Sequence, residues 1–309
     1  MTSPVVMTVN GPISREDLGT VLPHEHVLID LTRQVIVGGL LSDVDLMIQE
    51  LQEFVAAGGT TIVDCTSDAI GRDPAALEAI SRRTGLNIVM GCGAYREPFL
   101  DNAHIDRSSV QSLADELVFE ITHGVGASGI RPGIIGEIGS ERFITSCEER
   151  VLRAAGRAHL QTGLAITTHS ARWPNGLRQL SILGEEGVDA RNVVIGHADT
   201  IPQSDYHIAL CEAGCFVQFD TIRMESNYEV ARRVRHVVTV LAAGYGDQLL
   251  LSHDIWSPYH LRVSGGGGYT FLMTEFRERL ASAGVSDDDF DRITVANPAR
   301  ALVGAAGTP

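Results

Sequence analysis

With 309 residues, 44% of them hydrophobic, the chain has apolar material for a large core and the length of one barrel-sized domain, residues 1–309. A net charge of −15 argues against a nucleic-acid partner and against an anionic membrane surface, because both repel a uniformly acidic protein. The opening MTSPVVMTVNGP has no basic region before an apolar run, and no stretch of about 18 apolar residues is present to span a bilayer; the expectation is a soluble cytoplasmic protein acting on a small molecule.

Taken in order, short β-branched runs alternate with longer stretches of helical periodicity. Strands are predicted over residues 21–30, 60–65, 87–92, 133–137, 164–169, 192–197, 215–220 and 248–253. Helical spacing of apolar residues marks 43–57, 75–84, 109–122, 148–162 and 228–243 between them. Alternation repeated about eight times points to a parallel α/β architecture, and eight units in one domain favour a closed (β/α)8 TIM barrel over an open sheet. Asn297 and Pro298 read as the cap and first turn of the last helix. The run SGGGG at 264–268 reads as a mobile lid or a flexible connection. Five cysteines, an odd number with no CxxC pair, read as buried reduced thiols.

Several predicted strands end in chemically useful residues, and barrel active sites sit at the C-terminal ends of the strands. His24 and His26 lie two apart in VLPHEHVLID, so a strand places both on one face. Alone, such a pair is read as easily as two hydrogen-bonded histidines. His169 closes AITTHS, His197 closes VVIGHAD, and Asp254 closes LLLSHD, each after an apolar run. Imidazoles and carboxylates are the usual ligands of zinc and its neighbours, and ligands scattered over a barrel mouth suggest a catalytic site.

The segments GTVLPHEHV, TIVDCTSDAIGRDPAALEAISRRTGLNIVMGCGAY, RPGIIGEIGS, TTHS, GHAD, SHD and ANPARAL, in this order, resemble the phosphotriesterase family of the amidohydrolase superfamily over almost the whole chain. That resemblance implies a binuclear site at the strand ends. His24, His26 and Asp254 would hold one divalent ion, and His169 and His197 the second. A ligand from the fourth strand would join them, with a shared hydroxide as nucleophile. Zinc is the first expectation, with manganese, cobalt or iron also suited to such a donor set. Asp254 would carry the proton from the nucleophile towards the leaving group. Relatives are often dimers, so a homodimer is expected from family alone.

Many members of the family bridge their metals with a carboxylated lysine. All 24 basic residues here are arginine. Glu137 in GIIGEIGS is the nearest carboxylate, and it resembles the glutamate-bridged branch that includes the animal phosphotriesterase-related protein. Glu137 falls one residue later than the lysine does, which in a regular strand turns the side chain to the other face. A bulge in the fourth strand, or a shift elsewhere, is therefore expected.

Tyr95 in GCGAY matches the tyrosine that lactone-hydrolysing relatives place over the metals, where its hydroxyl can donate to an oxyanion; a packed core tyrosine is the plainer reading. Arg96, Arg172 and Arg223 follow the third, fifth and seventh strands, where they read either as substrate contacts for a carboxylate or sulfonate or as surface ion pairs. Trp173 and Trp256 follow strand ends and read as pocket walls or as buried elsewhere. Hydrolysis of a carboxylic amide, ester or lactone is the first expectation. Phosphotriester hydrolysis is the alternative, and a metal-stabilised binding protein without turnover is the third reading.

Overall fold

Eight apolar runs set the frame. In the computed structural model, which describes residues 5–303, they form β1 (Val21–Glu25), β2 (Thr61–Asp64), β3 (Asn87–Cys92), β4 (Ile134–Gly139), β5 (Ile166–His169), β6 (Val193–Ile195), β7 (Phe216–Phe219) and β8 (Leu249–Leu251). Each strand pairs in parallel with its neighbour in the chain, in the order β1 to β8. The ends of the sheet meet: Asp254 N donates to His24 O at 3.3 Å, and His24 N donates to Ser252 Oγ at 3.1 Å. The expected (β/α)8 barrel is the observed fold. Among the described residues no helix is long and apolar enough to cross a membrane.

The outer layer comprises α1 (Val44–Ala56), α2 (Pro74–Thr84), α3 (Val110–His123), α4 (Ser146–Thr162), α5 (Gly176–Glu185), α6 (Ser204–Glu212) and α7 (Asn227–Ala242). Caps explain the small differences from the sequence reading. Asp43 and Ser109 stand outside their helices because their side chains accept first-turn N–H groups. The fourth helix starts earlier than expected because Thr145 and Glu148 form a reciprocal capping box.

Three features differ more. The first strand ends at Glu25, because Asp64 Oδ2 takes the Val27 N–H at 2.7 Å and turns the chain out of the sheet; Ile29–Asp30 then pairs with Leu40–Leu41. A hairpin of Val5–Thr8 and Gly11–Ser14, not anticipated, precedes the barrel. Asn297 is not a cap. It continues a π-helical turn, Arg292–Ala296, and its side-chain amide donates to Gly246 O at 2.8 Å and Leu249 O at 2.7 Å, pinning the base of β8. The π turn sits where Pro298 has no N–H to return.

The glycine run after β8 serves as a packed connection. Any Cβ on Gly266 would strike the backbone of His260, and one on Gly268 would meet Arg262 and Glu50. All five cysteines are buried and free.

Candidate metal centre

Alternation along β1 divides HEH into two jobs. His24 and His26 turn inward, while Glu25 turns to the eighth strand. Its carboxylate accepts from Ser252 Oγ at 2.8 Å, His253 N at 2.8 Å and Ile255 N at 2.9 Å, and faces His253 Nδ1 at 3.0 Å. His253 is thus a closure residue, and Asp254 beside it faces the site.

Of the two expected alternatives, an irregular β4 is the one present. Its register against β5 shifts between Ile135 and Ile138, around Gly136 with φ +131°. Glycine alone takes that backbone readily. Glu137 emerges inward and 1% exposed, with Oε2 at 2.9 Å from His169 Nδ1, 3.4 Å from His24 Nε2 and 3.5 Å from His197 Nε2. Its Oε1 lies 3.5 Å from His26 Nε2. One carboxylate therefore stands among all four histidines.

Surrounding groups fix which nitrogen of each ring looks inward. Thr66 Oγ1 donates to Leu28 O at 3.0 Å, so it accepts from His26 Nδ1 at 3.0 Å and leaves Nε2 with a free lone pair. Asp220, at the end of β7 and fully buried, lies 2.7 Å from His197 Nδ1 and 3.1 Å from His24 Nδ1, which turns both Nε2 atoms towards Glu137. His24 Nε2 is buried with no hydrogen-bond partner. His169 Nδ1 and His197 Nε2 lie 2.6 Å apart, close enough to share one proton or face one cation.

These donors fit divalent cations. His24, His26 and Asp254 form one group whose ligand atoms lie within 4.8 Å of one another, and Glu137, His169 and His197 form a second. His24, His197 and Asp220 meet the same 4.8 Å limit, but that group uses the outward Nδ1 atoms that Asp220 orients. Burial would push the Glu137 carboxyl up, but His169 and His24 hold it well below the ordinary carboxylate range.

Asp254 completes the inward face. Its Oδ1 is 3.4 Å from His26 Nε2 and 3.9 Å from His24 Nε2. Arg223 Nη1 holds Oδ2 at 3.1 Å and also donates to the carbonyls of His253 and Asp254. Burial opposes ionisation, yet the His26 contact, His197 and Arg223 hold this carboxyl down to about 2. Tyr95 Oη sits 3.4 Å from His169 Nε2, and burial, then Glu137, pushes its hydroxyl well above the usual range.

His26, Tyr95, Glu137, His169, His197, Arg223 and Asp254 open into one cavity of about 660 Å³, with His24 and Asp220 buried behind its wall. Arg96, Arg172, Trp173 and Trp256, expected at the mouth, line it too. Asp220 was missed, although VQFD has the same form as the other motifs: an apolar strand ending in a polar group.

Comparison with known proteins agrees with this geometry. The phosphotriesterase family model matches residues 4–302. The phosphotriesterase homology protein of Escherichia coli is 35% identical, with 93% of this chain and 99% of that one covered. A crystal structure of the protein of that name, complexed with phosphate in its active site, superposes with a TM-score of 0.89. The N-acetyltaurine hydrolase of Dictyostelium discoideum is 33% identical over 85% of this chain and 74% of its own. A lactonase from Listeria monocytogenes superposes with a TM-score of 0.88 at 25% identity, covering 96% and 98%. The chain belongs to the phosphotriesterase family and is a hydrolase of it.

Proposed function

We propose that the protein is a binuclear metal hydrolase cleaving a carboxylic amide, with esters and lactones open to the same chemistry. The observation that carries this reading is Glu137 standing among His24, His26, His169 and His197. His24, His26 and Asp254 would hold one ion, His169 and His197 the other, and Glu137 would contribute one oxygen to each. When bound, the two ions lower the pKa of a water and polarise the scissile carbonyl. The mixed imidazole and carboxylate set suits zinc, manganese, cobalt or iron.

The chain's own groups carry the remaining steps. Asp254 is a carboxylate at neutral pH, aimed inward by Arg223, and it accepts a proton and returns it to the departing amine. His169, directing Nδ1 towards Glu137, carries its proton on Nε2 and donates it to Tyr95 Oη. The Tyr95 O–H then points away from His169, free to donate to the developing oxyanion. The preference for an amide is supported by the glutamate in place of a lysine and by relatives named N-acetyltaurine hydrolase. Tyr95 and the lactonase neighbour support the lactone reading, and the phosphate held by the Escherichia coli relative keeps phosphotriesters as the second reading.

The test is turnover of metal-loaded protein on N-acetyltaurine, a γ-lactone and diethyl 4-nitrophenyl phosphate, beside Asp254→Asn. The amide should be the best substrate, and the variant should be slower by about 10²–10⁴-fold. A faster phosphotriester would overturn the substrate assignment. Equal turnover by Asp254→Asn would remove Asp254 from the mechanism.

A further inference from the structure

Three non-glycine residues among those described have a left-handed backbone: His197 at φ +55°, Asp254 at +55° and Arg172 at +68°. His and Asp tolerate that region better than most side chains, and arginine has no such advantage. Such conformations cost of order 1–3 kcal/mol and gather at functional sites. Two of the three belong to the proposed ligand set, which makes the third notable.

Arg172 is held there by the neighbouring loop. Its backbone N donates to Thr200 Oγ1 at 2.8 Å, and that hydroxyl donates to His197 O at 2.7 Å. The loop after β5 is thereby tied to the ligand that follows β6, and the Arg172 backbone is fixed at the exposed rim of the cavity beside Trp173.

Its charge is also distinct from that of the other arginines of the cavity. Arg96 is spent on Glu141, Gln34 and its neighbour's carbonyl. Arg223 holds Asp254, Arg232 holds Glu229, and Arg233 spans Asp199, Glu225 and Thr221. Arg172 alone among these five lacks a hydrogen bond or ion pair from its guanidinium to any described residue. A protein of net charge −15 repels small anions in general, so an unpaired cation at the mouth of its cavity supplies local attraction where the global field is adverse.

We propose that Arg172 receives a carboxylate or sulfonate on the substrate, so that the enzyme acts on acyl compounds carrying one anionic end. The planar guanidinium fork matches two oxygens of either group. This deepens the amidase reading and rests on it. It also assigns the anion to Arg172 instead of Arg96 or Arg223.

The test uses N-acetyl-β-alanine and its primary amide, the second lacking the terminal charge, with acetate release followed so that only cleavage of the N-acetyl bond is counted. The readout is the ratio of their kcat/KM values in the wild type, Arg172→Gln, Arg172→Lys and Arg96→Gln. The wild type should favour the acid. Arg172→Gln should lower that preference about tenfold or more, with the loss in KM, and Arg172→Lys should restore part of it. No preference in the wild type, or a preference unchanged in Arg172→Gln, would overturn the proposal. A loss confined to Arg96→Gln would move the anion site there. If neither compound is hydrolysed, the amidase reading fails, and calorimetric titration of the same pair then tests Arg172 alone: binding of the acid must weaken in Arg172→Gln, and equal binding overturns the proposal.

Discussion

Asp220 shows how much of the site lies one layer behind the ligands. Its carboxylate faces Nδ1 of His197 and of His24, accepts the His197 backbone N–H at 3.0 Å, and takes Gln218 Nε2 at 2.8 Å. Burial disfavours its charge, but His197 and His24 hold it well below the ordinary carboxylate range. It therefore stays a carboxylate, hydrogen-bonded to the His197 ring and facing that of His24. Asp220→Asn keeps the shape but sets an amide N–H₂ against one imidazole N–H. Metal affinity should fall about 10–100-fold, read by competition with a chromophoric chelator, while far- and near-UV circular dichroism stay unchanged. Unaltered affinity would make Asp220 a packing residue only. The histidines were legible in the sequence because each ends an apolar strand. Asp220 ends one too, but its partners lie 23 residues away in His197 and on the far strand in His24, and no local spacing marks that convergence.

Among the elements, β4 departs furthest from regular geometry and carries the bridge. Gly136 takes φ +131°, and a Cβ there would collide with the carbonyl oxygen of Thr167 on β5. The shift of register follows from that contact, and it turns Glu137 inward although alternation along a regular strand would turn it out. Gly136→Ala should destabilise the barrel by roughly 2–5 kcal/mol, combining the backbone cost with overpacking. It should also lower the metal content per chain. Urea melts and metal analysis check both, and a variant of wild-type stability would show that β4 can relax without its glycine. The one-residue offset of Glu137 pointed in the sequence to a bulge here or a shift elsewhere, and the contact of Gly136 with Thr167 decides for the bulge. The sequence did not carry the early end of β1, because the Asp64 carboxylate that draws Val27 out of the sheet acts from another strand. Nor did it carry the N-terminal hairpin, whose strands are four residues each and too short for a clear period.

At the scale of the whole barrel, the centre works as a cross-link. Its proposed ligands come from β1, β4 and β5 and from the segments just past β1, β6 and β8, so bound ions would join elements far apart in the sequence. The eightfold alternation was legible because every strand has its own apolar run. Closure was not, because it depends on Glu25 and His253, which are 228 residues apart. Glu25 and His253 close the outer seam, and the ions would tie the inner one. His24 Nε2 is buried without a hydrogen-bond partner, and three carboxylates, Glu137, Asp220 and Asp254, stand among the imidazole rings, a donor set that cations would satisfy. Ligands that bind only the folded state stabilise it by mass action, about 4 kcal/mol at a free concentration 1,000 times the dissociation constant. For a chain of this size that is roughly 6 °C in Tm. Dialysis against a strong chelator should lower Tm by about that amount, and adding back zinc or manganese should restore it. The Glu137→Gln variant should show a much smaller difference between the two states, since its amide offers only one oxygen to the ions. Equal melting temperatures with and without metal in the wild type would mean that the convergence of Glu137 on four histidines is a hydrogen-bonded core and not a metal centre.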